Sequence, residues 1–346
     1  MKVLITGGVG FLGLHLAHYY NKQNHQVSLL DIADFNPKEF EDVFSFHQTD
    51  VRDKEGLDQV IKGQDLVIHA AAALPLWTKR DILTTNIDGT RNVLSSSLKH
   101  NVQRVIFISS TAVYGVPEKH PIDENDPLIG VGPYGESKIE AEKICQDHIH
   151  KGINITIIRP KTFIGTRRLG VFEILFDWIK DGKKIPVIGN GKNRYQLLDV
   201  DDLVEAIYLF GKKNHKKYND TFNIGAKEFA TVKQDLHKLC EHAGSGASVL
   251  ATPAGPVKAA LALFDYLGIS PLYKWVYDTA DKDSFVSTEK IEKTLNWSPK
   301  YSNQAALIKA YSWYLDNYES VKATNSGVTH TTGWKQGILK LVKKVL

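Results

Sequence analysis

Short, almost unbroken apolar runs punctuate the first half of the chain: Val3-Leu4-Ile5, Gln26-Val27-Ser28-Leu29-Leu30, Phe46-His47-Gln48, Leu66-Val67-Ile68-His69, Arg104-Val105-Ile106-Phe107-Ile108-Ser109 and Ile153-Asn154-Ile155-Thr156-Ile157-Ile158. Runs of this length with little polar alternation read as strands covered on both faces, as in a parallel sheet. Between them the spacing predicts helices over residues 11–20, 82–99 and 132–150, the last opened by Gly132-Pro133. Alternation of this kind gives an α/β fold, a doubly wound parallel sheet that binds its ligand across the C-terminal strand ends. After Arg159-Pro160 the regularity loosens. Helices are expected over 169–180 and 201–210 and a short strand over 185–188. Residues 250–298, richer in aromatics, proline and turns, are expected to form most of a smaller C-terminal lobe. The division that follows is 1–165 (continued by parts of 197–230) for the sheet domain, 166–196 and 231–316 for the substrate-binding lobe, and 317–346 for a polar linker and tail.

Composition narrows the class. The 346 residues are ample for a large core, and 42% hydrophobic with 24% charged residues is ordinary for a globular protein. A formal charge of +4 favours an anionic ligand slightly. Cys145 and Cys240 form no disulfide framework and sit in no metal-ligand cluster, which points to a reducing, cytoplasmic setting and to no metal. No run reaches transmembrane length, and Gly7 to Gly13 interrupt what would be the apolar part of a signal sequence. Nucleic acid is not expected, since no arginine-rich stripe is interleaved with aromatics. Two segments suit a peripheral contact with an anionic membrane: the apolar stretch 257–269, and the tail, where Trp334, Ile338, Leu339, Leu341, Val342, Val345 and Leu346 alternate with Lys335, Lys340, Lys343 and Lys344. The same stripe would equally pack on the enzyme or on a second subunit.

The chemistry begins with Thr6-Gly7-Gly8-Val9-Gly10-Phe11-Leu12-Gly13, directly after the first strand. Gly7 allows the tight turn, Gly10 lets backbone approach a pyrophosphate, and Gly13 lets the helix lie close to the sheet. The pyrophosphate would rest over the helix N-terminus beside Phe11 and Leu12, where unpaired N–H groups favour anions. Asp31, closing the second strand, is placed to bind the adenosine ribose and to repel a 2′-phosphate, so the expected cofactor is NAD. Asp50-Val51 would touch adenine, and the small side chains of Ala70, Ala71 and Ala72 would let the cofactor lie against backbone. Tyr134 and Lys138, four apart on one helix face, form an acid/base pair in which the lysine lowers the cost of the phenolate. Ser109-Ser110-Thr111 ends the strand over residues 104–109, with the Ser110 hydroxyl placed to orient the reacting oxygen.

With these residues the chain resembles the extended short-chain dehydrogenase/reductases, in particular their NAD-dependent sugar-nucleotide epimerase/dehydratase group, over most of residues 1–315. The resemblance implies a Rossmann sheet, Tyr134 as acid/base, Lys138 on the nicotinamide ribose, Ser110 and Thr111 at the substrate, and Ser109 and Asn86 on the cofactor side of the site. It further implies a homodimer, packed through the helix from Gly132 and the one near Ile82. The group's 4,6-dehydratases follow the active-site hydroxyl with an Asp-Glu pair. Here Thr111-Ala112 follows Ser110, and neither exchanges a proton usefully. The expectation is therefore epimerisation of a UDP-linked sugar, such as UDP-glucose or UDP-glucuronate, at C4 through a keto intermediate, with Arg194 as a phosphate contact. Phe163-Ile164-Gly165-Thr166-Arg167-Arg168 and Arg194-Tyr195-Gln196-Leu197-Leu198 depart from the group's usual loops. They keep open a likeness to 3β-hydroxysteroid dehydrogenases acting on an apolar alcohol. A non-catalytic NAD-binding protein is the third reading, and the intact Ser110, Tyr134 and Lys138 count against it.

Overall fold

The structure is a computed structural model that describes residues 1–346 except 41–42, 76, 168, 267–273, 324–342 and 344–346. Arg168, residues 267–269 of the apolar stretch, and the tail apart from Lys343 lie outside the described residues.

The strands are β1 (Lys2–Thr6), β2 (Gln26–Asp31), β3 (Ser45–Gln48), β4 (Leu66–His69), β5 (Arg104–Ile108), β6 (Ile155–Pro160), β7 (Phe163–Ile164), β8 (Lys184–Ile188), β9 (Leu198–Asp199), β10 (Thr221–Ile224) and β11 (Ser248–Thr252). The helices that matter for the sheet are α1 (Phe11–Lys22), α2 (Lys54–Ile61), α3 (Lys79–Leu83), α4 (Gly89–Lys99), α5 (Gly132–His150), α6 (Phe172–Lys180) and α7 (Val200–Gly211). The C-terminal part adds α8 (Val232–Ala243), α9 (Ala254–Tyr266), α10 (Lys274–Thr279), α11 (Glu289–Leu295), α12 (Asn303–Asp316) and α13 (Tyr318–Ala323).

Seven strands form one parallel sheet in the order β10-β6-β5-β4-β1-β2-β3. Because side chains alternate along a strand, β1 feeds two cores at once. Val3 and Ile5 pack with Leu14, Leu16 and Tyr20 of α1 and Leu203 and Ile207 of α7, while Leu4 packs with Leu57 of α2, Val93 and Leu94 of α4 and Ala141 and Cys145 of α5. Burial on both faces is why these strands read as continuous apolar runs. The expected helix over 82–99 is divided: α3 and α4 are joined by a wide π-helical turn at Thr84–Asp88. Such turns occur often at functional sites, and this one carries Asn86. β10, which the apolar pattern does not single out, completes the sheet beside β6.

A third core joins α6, α8 and α12 through Phe176, Trp178, Leu239, Leu307, Tyr311 and Tyr314. Two aspartates fasten this part to the sheet. Asp199 caps α7 through the Asp201 N–H at 2.8 Å and pairs with Lys309 of α12. The Asp202 carboxylate accepts the Lys300 and Tyr301 N–H groups at 3.0 Å. Lys343 reaches Asp177 of α6 and lies 2.7 Å from Asp181. Among the described residues no helix is long and apolar enough to cross a membrane, and no three His, Cys, Asp or Glu could hold a metal ion.

Candidate active site

The strand order reverses between β1 and β4, and parallel sheets open a crevice at such a point. The ends of β1, β2, β4, β5 and β6 line a cleft of about 1240 Å³. A single small ligand occupies roughly 300–1,000 Å³, so this cleft has room for a cofactor and a second molecule.

One wall is made of small residues and backbone. Gly7, Gly10, Phe11, Leu12, Gly13, Asp31, Asp50, Val51, Ala70, Ala71 and Ala72 all line it. Gly7 turns at φ +67°, and a Cβ there would stand 2.8 Å from the Ala71 nitrogen. At Gly13 a Cβ would collide with the carbonyl oxygens of Gly7 and Gly8, so only glycine lets α1 start this close to the turn. The N-cap of α1 is Gly10, with no side chain across the helix end, which leaves backbone N–H groups for an anion. Asp31 is fixed by the N–H groups of Val9 at 3.1 Å and Ala33 at 3.0 Å. Burial would raise the Asp50 pKa, yet the fork of Arg52, bonded to both carboxylate oxygens, holds it below the ordinary range.

The edge between the walls holds the proton chemistry. Tyr134, Lys138, Ser109, Ser110 and Thr111 all line the cleft. The Lys138 ammonium donates to the Ile108 carbonyl at 2.8 Å and lies 5.9 Å from the centre of the Tyr134 ring. Burial pushes Lys138 down to about 8. Burial also pushes Tyr134 up to about 12, with Ser110 alone acting in the opposite direction. Loss of water dominates at the tyrosine, and the lysine's own charge is disfavoured.

Two expected contacts fall elsewhere. Asn86 is buried and is not part of the cleft lining: its amide accepts from the Ala73 N–H at 2.9 Å and donates to the Ala73 carbonyl and to Ser137 Oγ. It ties the loop after β4 to the helix carrying Tyr134. Arg194 is exposed outside the cleft lining, its guanidinium 4.6 Å from the ring centres of both Phe229 and Phe285.

Other site residues escaped the sequence reading. Glu142, one turn beyond Lys138 on α5, is buried and accepts from Ser109 Oγ. It also takes the Arg159 fork, with Nε at 2.9 Å from Oε1 and Nη2 at 2.5 Å from Oε2. Burial opposes the Arg159 charge, but Glu142 raises its pKa overall. Arg159 continues to the Tyr114 hydroxyl at 2.6 Å, which donates to Asn223 at 2.8 Å. The signal was available: an acid among Lys138, Ala141 and Cys145, on the face α5 turns inward. The other wall of the cleft includes Lys161, Thr162, Phe163, Tyr195, Asp278 and Ser284. A lysine right after Arg159-Pro160, at an inward strand end, was the clue there.

Residues 3–225 match the NAD dependent epimerase/dehydratase family. The uncharacterised protein y4nG of Sinorhizobium fredii is 33% identical over 346 residues, 99% of this chain and 86% of that one. The N-acetyl-α-D-glucosaminyl-diphospho-ditrans,octacis-undecaprenol 4-epimerase of Escherichia coli O157:H7 is 35% identical over 258 residues, 68% of this chain and 73% of that one. Among solved structures, UDP-glucose 4-epimerase of Thermotoga maritima with UDP-glucose shares the fold, with a TM-score of 0.77 at 24% identity over 92% of this chain and 100% of that one. A reversing parallel sheet, a glycine cradle beside an acidic strand end and a Tyr-Lys-Ser edge all fall within the matched residues 3–225: the chain belongs to the NAD dependent epimerase/dehydratase family, NAD-dependent enzymes of the extended short-chain dehydrogenase/reductase type.

Proposed function

We propose that this protein epimerises a nucleotide-linked sugar, at C4, through a 4-keto intermediate. The observation that carries the reading is the single acid/base on the cleft edge. Tyr134 stands beside Ser110, while Thr111 spends its hydroxyl on the Pro160 carbonyl at 3.3 Å and Ala112 has no proton to give. A Tyr-Ser pair followed by Thr111-Ala112, with no carboxylate at those two positions, suits removal and return of hydride at one carbon better than elimination of water, which needs a further acid and base.

The cradle at Gly7 and Gly13 and the fixed Asp31 carboxylate fit NAD, held by the α1 N-terminus, Asp31, Asp50, Val51, Ala70 to Ala72 and the backbone at Ser109. When bound, NAD supplies a hydride acceptor and donor and a positive charge next to Tyr134. Tyr134 takes the proton of the sugar hydroxyl and later returns it. Ser110 holds the reacting oxygen, and the Lys138 ammonium, fixed on the Ile108 carbonyl 5.9 Å from the centre of the Tyr134 ring, would meet the nicotinamide ribose. Glu142 and Arg159 lock the end of β5, and Asn86 locks the loop after β4, so the edge stays rigid while the sugar turns over. A homodimer through α4 and α5 would be a polar contact, since Glu136, Glu140 and Lys143 are exposed along α5.

Incubation with UDP-glucose, UDP-glucuronate and their N-acetylated relatives, with NAD, tests the proposal. Sugar stereochemistry followed by NMR should change at C4 without net NADH absorbance. NADH accumulating with hydroxysteroids or other apolar alcohols, and no sugar conversion, would reassign the enzyme to dehydrogenation.

A second reading keeps the reaction and changes the carrier to a lipid diphosphate. The Escherichia coli relative is named for a sugar on such a carrier. Here α9 exposes Leu263 and Tyr266, and its Lys258 pairs at 2.6 Å with Asp281, beside the cleft residues Asp278 and Thr279. Epimerisation of the polyprenyl-linked sugar in anionic vesicles, with sedimentation reduced on deletion of 334–346, would favour it. Against it, Lys343 pairs with Asp177 of α6 and with Asp181 at its C-terminal end, contacts with the enzyme itself.

A further inference from the structure

Lys161 is 3% exposed, yet among the described residues no carboxylate lies within ion-pairing distance of its Nζ. Its contacts are Ser284 Oγ at 2.6 Å and the Tyr195 ring, whose centre is 4.9 Å away. A buried ammonium that meets only a hydroxyl and a ring is costly, and this one lines the same cleft as Ser110 and Tyr134. The backbone locates it at the sugar end. It follows Pro160, whose carbonyl holds Thr111, the residue after Ser110.

The cradle is stiff. The Lys161 N–H is bonded to the Ile224 carbonyl at 2.9 Å. Tyr195 is held through its hydroxyl by Thr162 at 2.7 Å and through its carbonyl by Asn303 at 2.8 Å. Residue 284 is locked by the Gln196 N–H on its carbonyl and by its own N–H on Arg194. Of the charged groups nearby, Asp283 is engaged with the Arg194 N–H at 2.7 Å, and His120 has its pKa lowered, mainly by burial and in part by the Lys161 charge. Burial pushes Lys161 itself down to about 7, so an arriving anion would restore a full charge.

We infer that Lys161 receives an anionic oxygen carried on the sugar ring, so that the substrate class is a nucleotide-linked acidic sugar of the uronate kind. The inference rests on the nucleotide-sugar reading above and adds the chemistry of the sugar. The ammonium completes its ion pair only when such a ligand enters, and a neutral hexose leaves it unpaired.

Calorimetric titration of the NAD-loaded protein with UDP-glucuronate, UDP-glucose and UDP tests this. The wild type should bind UDP-glucuronate at least about tenfold more tightly than UDP-glucose, a difference of roughly 1.4 kcal/mol. Lys161→Met should bring the two within about twofold while leaving UDP-glucose and UDP unchanged, and Lys161→Arg should keep part of the preference. Equal weakening of all three ligands would assign the ammonium to the diphosphate and overturn the proposal. So would a wild type that shows no preference, a reading that does not depend on the variants folding. UDP-glucuronate held through Lys161 but not epimerised would sink the C4 reaction and leave the subsite standing. C4 epimerisation indifferent to Lys161 would do the reverse.

Discussion

The two walls of the cleft are built on different principles. The cofactor wall comes from residues 7–73, nearly contiguous in the chain, and presents backbone, glycine, alanine and two carboxylates. The opposite wall gathers residues 160–163, 195 and 278–284, distant in sequence, and presents a buried lysine and aromatic rings. On the first wall the shape is set by backbone geometry, so few side chains are tolerated. On the second it is set largely by side chains, held on strand ends and loops that backbone bonds tie together. On the proposed function, reaction type would belong to the first wall and the shared edge, and substrate choice to the second.

The largest expected effect is on the edge itself. Tyr134→Phe should lower turnover by about 10²–10⁴-fold, the worth of a general acid/base, with NAD affinity held within a few-fold. Near-normal turnover in that variant would separate the catalytic step from Tyr134 and dissolve the contrast between walls. Next comes the support beneath the edge. Glu142→Gln leaves Arg159 buried without its partner and should cost about 3–5 kcal/mol, read as a lowered urea midpoint. An unchanged midpoint would mean that the pair is replaceable.

A smaller effect is expected on the cofactor wall. Asp31→Ser should shift the NADP-to-NAD affinity ratio toward NADP by on the order of tenfold, about 1.4 kcal/mol. No shift would show that Asp31 serves only the Val9 and Ala33 N–H groups. The mildest effect is in pH. Tyr134, raised to about 12, gains phenolate as pH rises, whereas Lys138, lowered to about 8, is charged below that value and loses its charge above it. Turnover should climb from pH 6 and flatten near 8, and Lys138→Met should remove the break. A wild-type profile flat from pH 6 to 9 would argue that neither group ionises during the rate-limiting step.

The cofactor wall was legible because its chemistry sits in short contiguous motifs whose glycines and alanines have a geometric reason. Five strands of the sheet, β1, β2, β4, β5 and β6, were legible for a related reason, burial on both faces, whereas the half-buried edge strand β3 was placed by the Asp50-Val51 that follows it. β10 was not, since Thr221 and Asn223 interrupt its apolar residues while making buried polar contacts. The partners of Asn86, Ala73 and Ser137, were not legible, because its placement depends on a π-helical turn that periodicity does not encode. The pairing of Glu142 with Arg159 and the isolation of Lys161 are facts of the third dimension. The first pair stand 17 positions apart, with the end of α5, a turn and most of β6 between them, and Lys161 meets Ser284 across 123 positions. Arg194 looked available for phosphate because guanidinium forks suit it, whereas two phenylalanines from remote segments claim the group.

A polypeptide ending at residue 225, where the family match stops, would carry the whole cofactor wall and still be a poor autonomous unit. It would lose Lys309 from Asp199, the Lys300 and Tyr301 N–H groups from Asp202, and the Asn303 amide from the Leu197 N–H. Carboxylates now sealed from water would be bared at the flank of the sheet. Expression of a truncated cofactor domain should therefore yield aggregate, whereas co-expression of residues 226–346 as a separate fragment should rescue it by complementation.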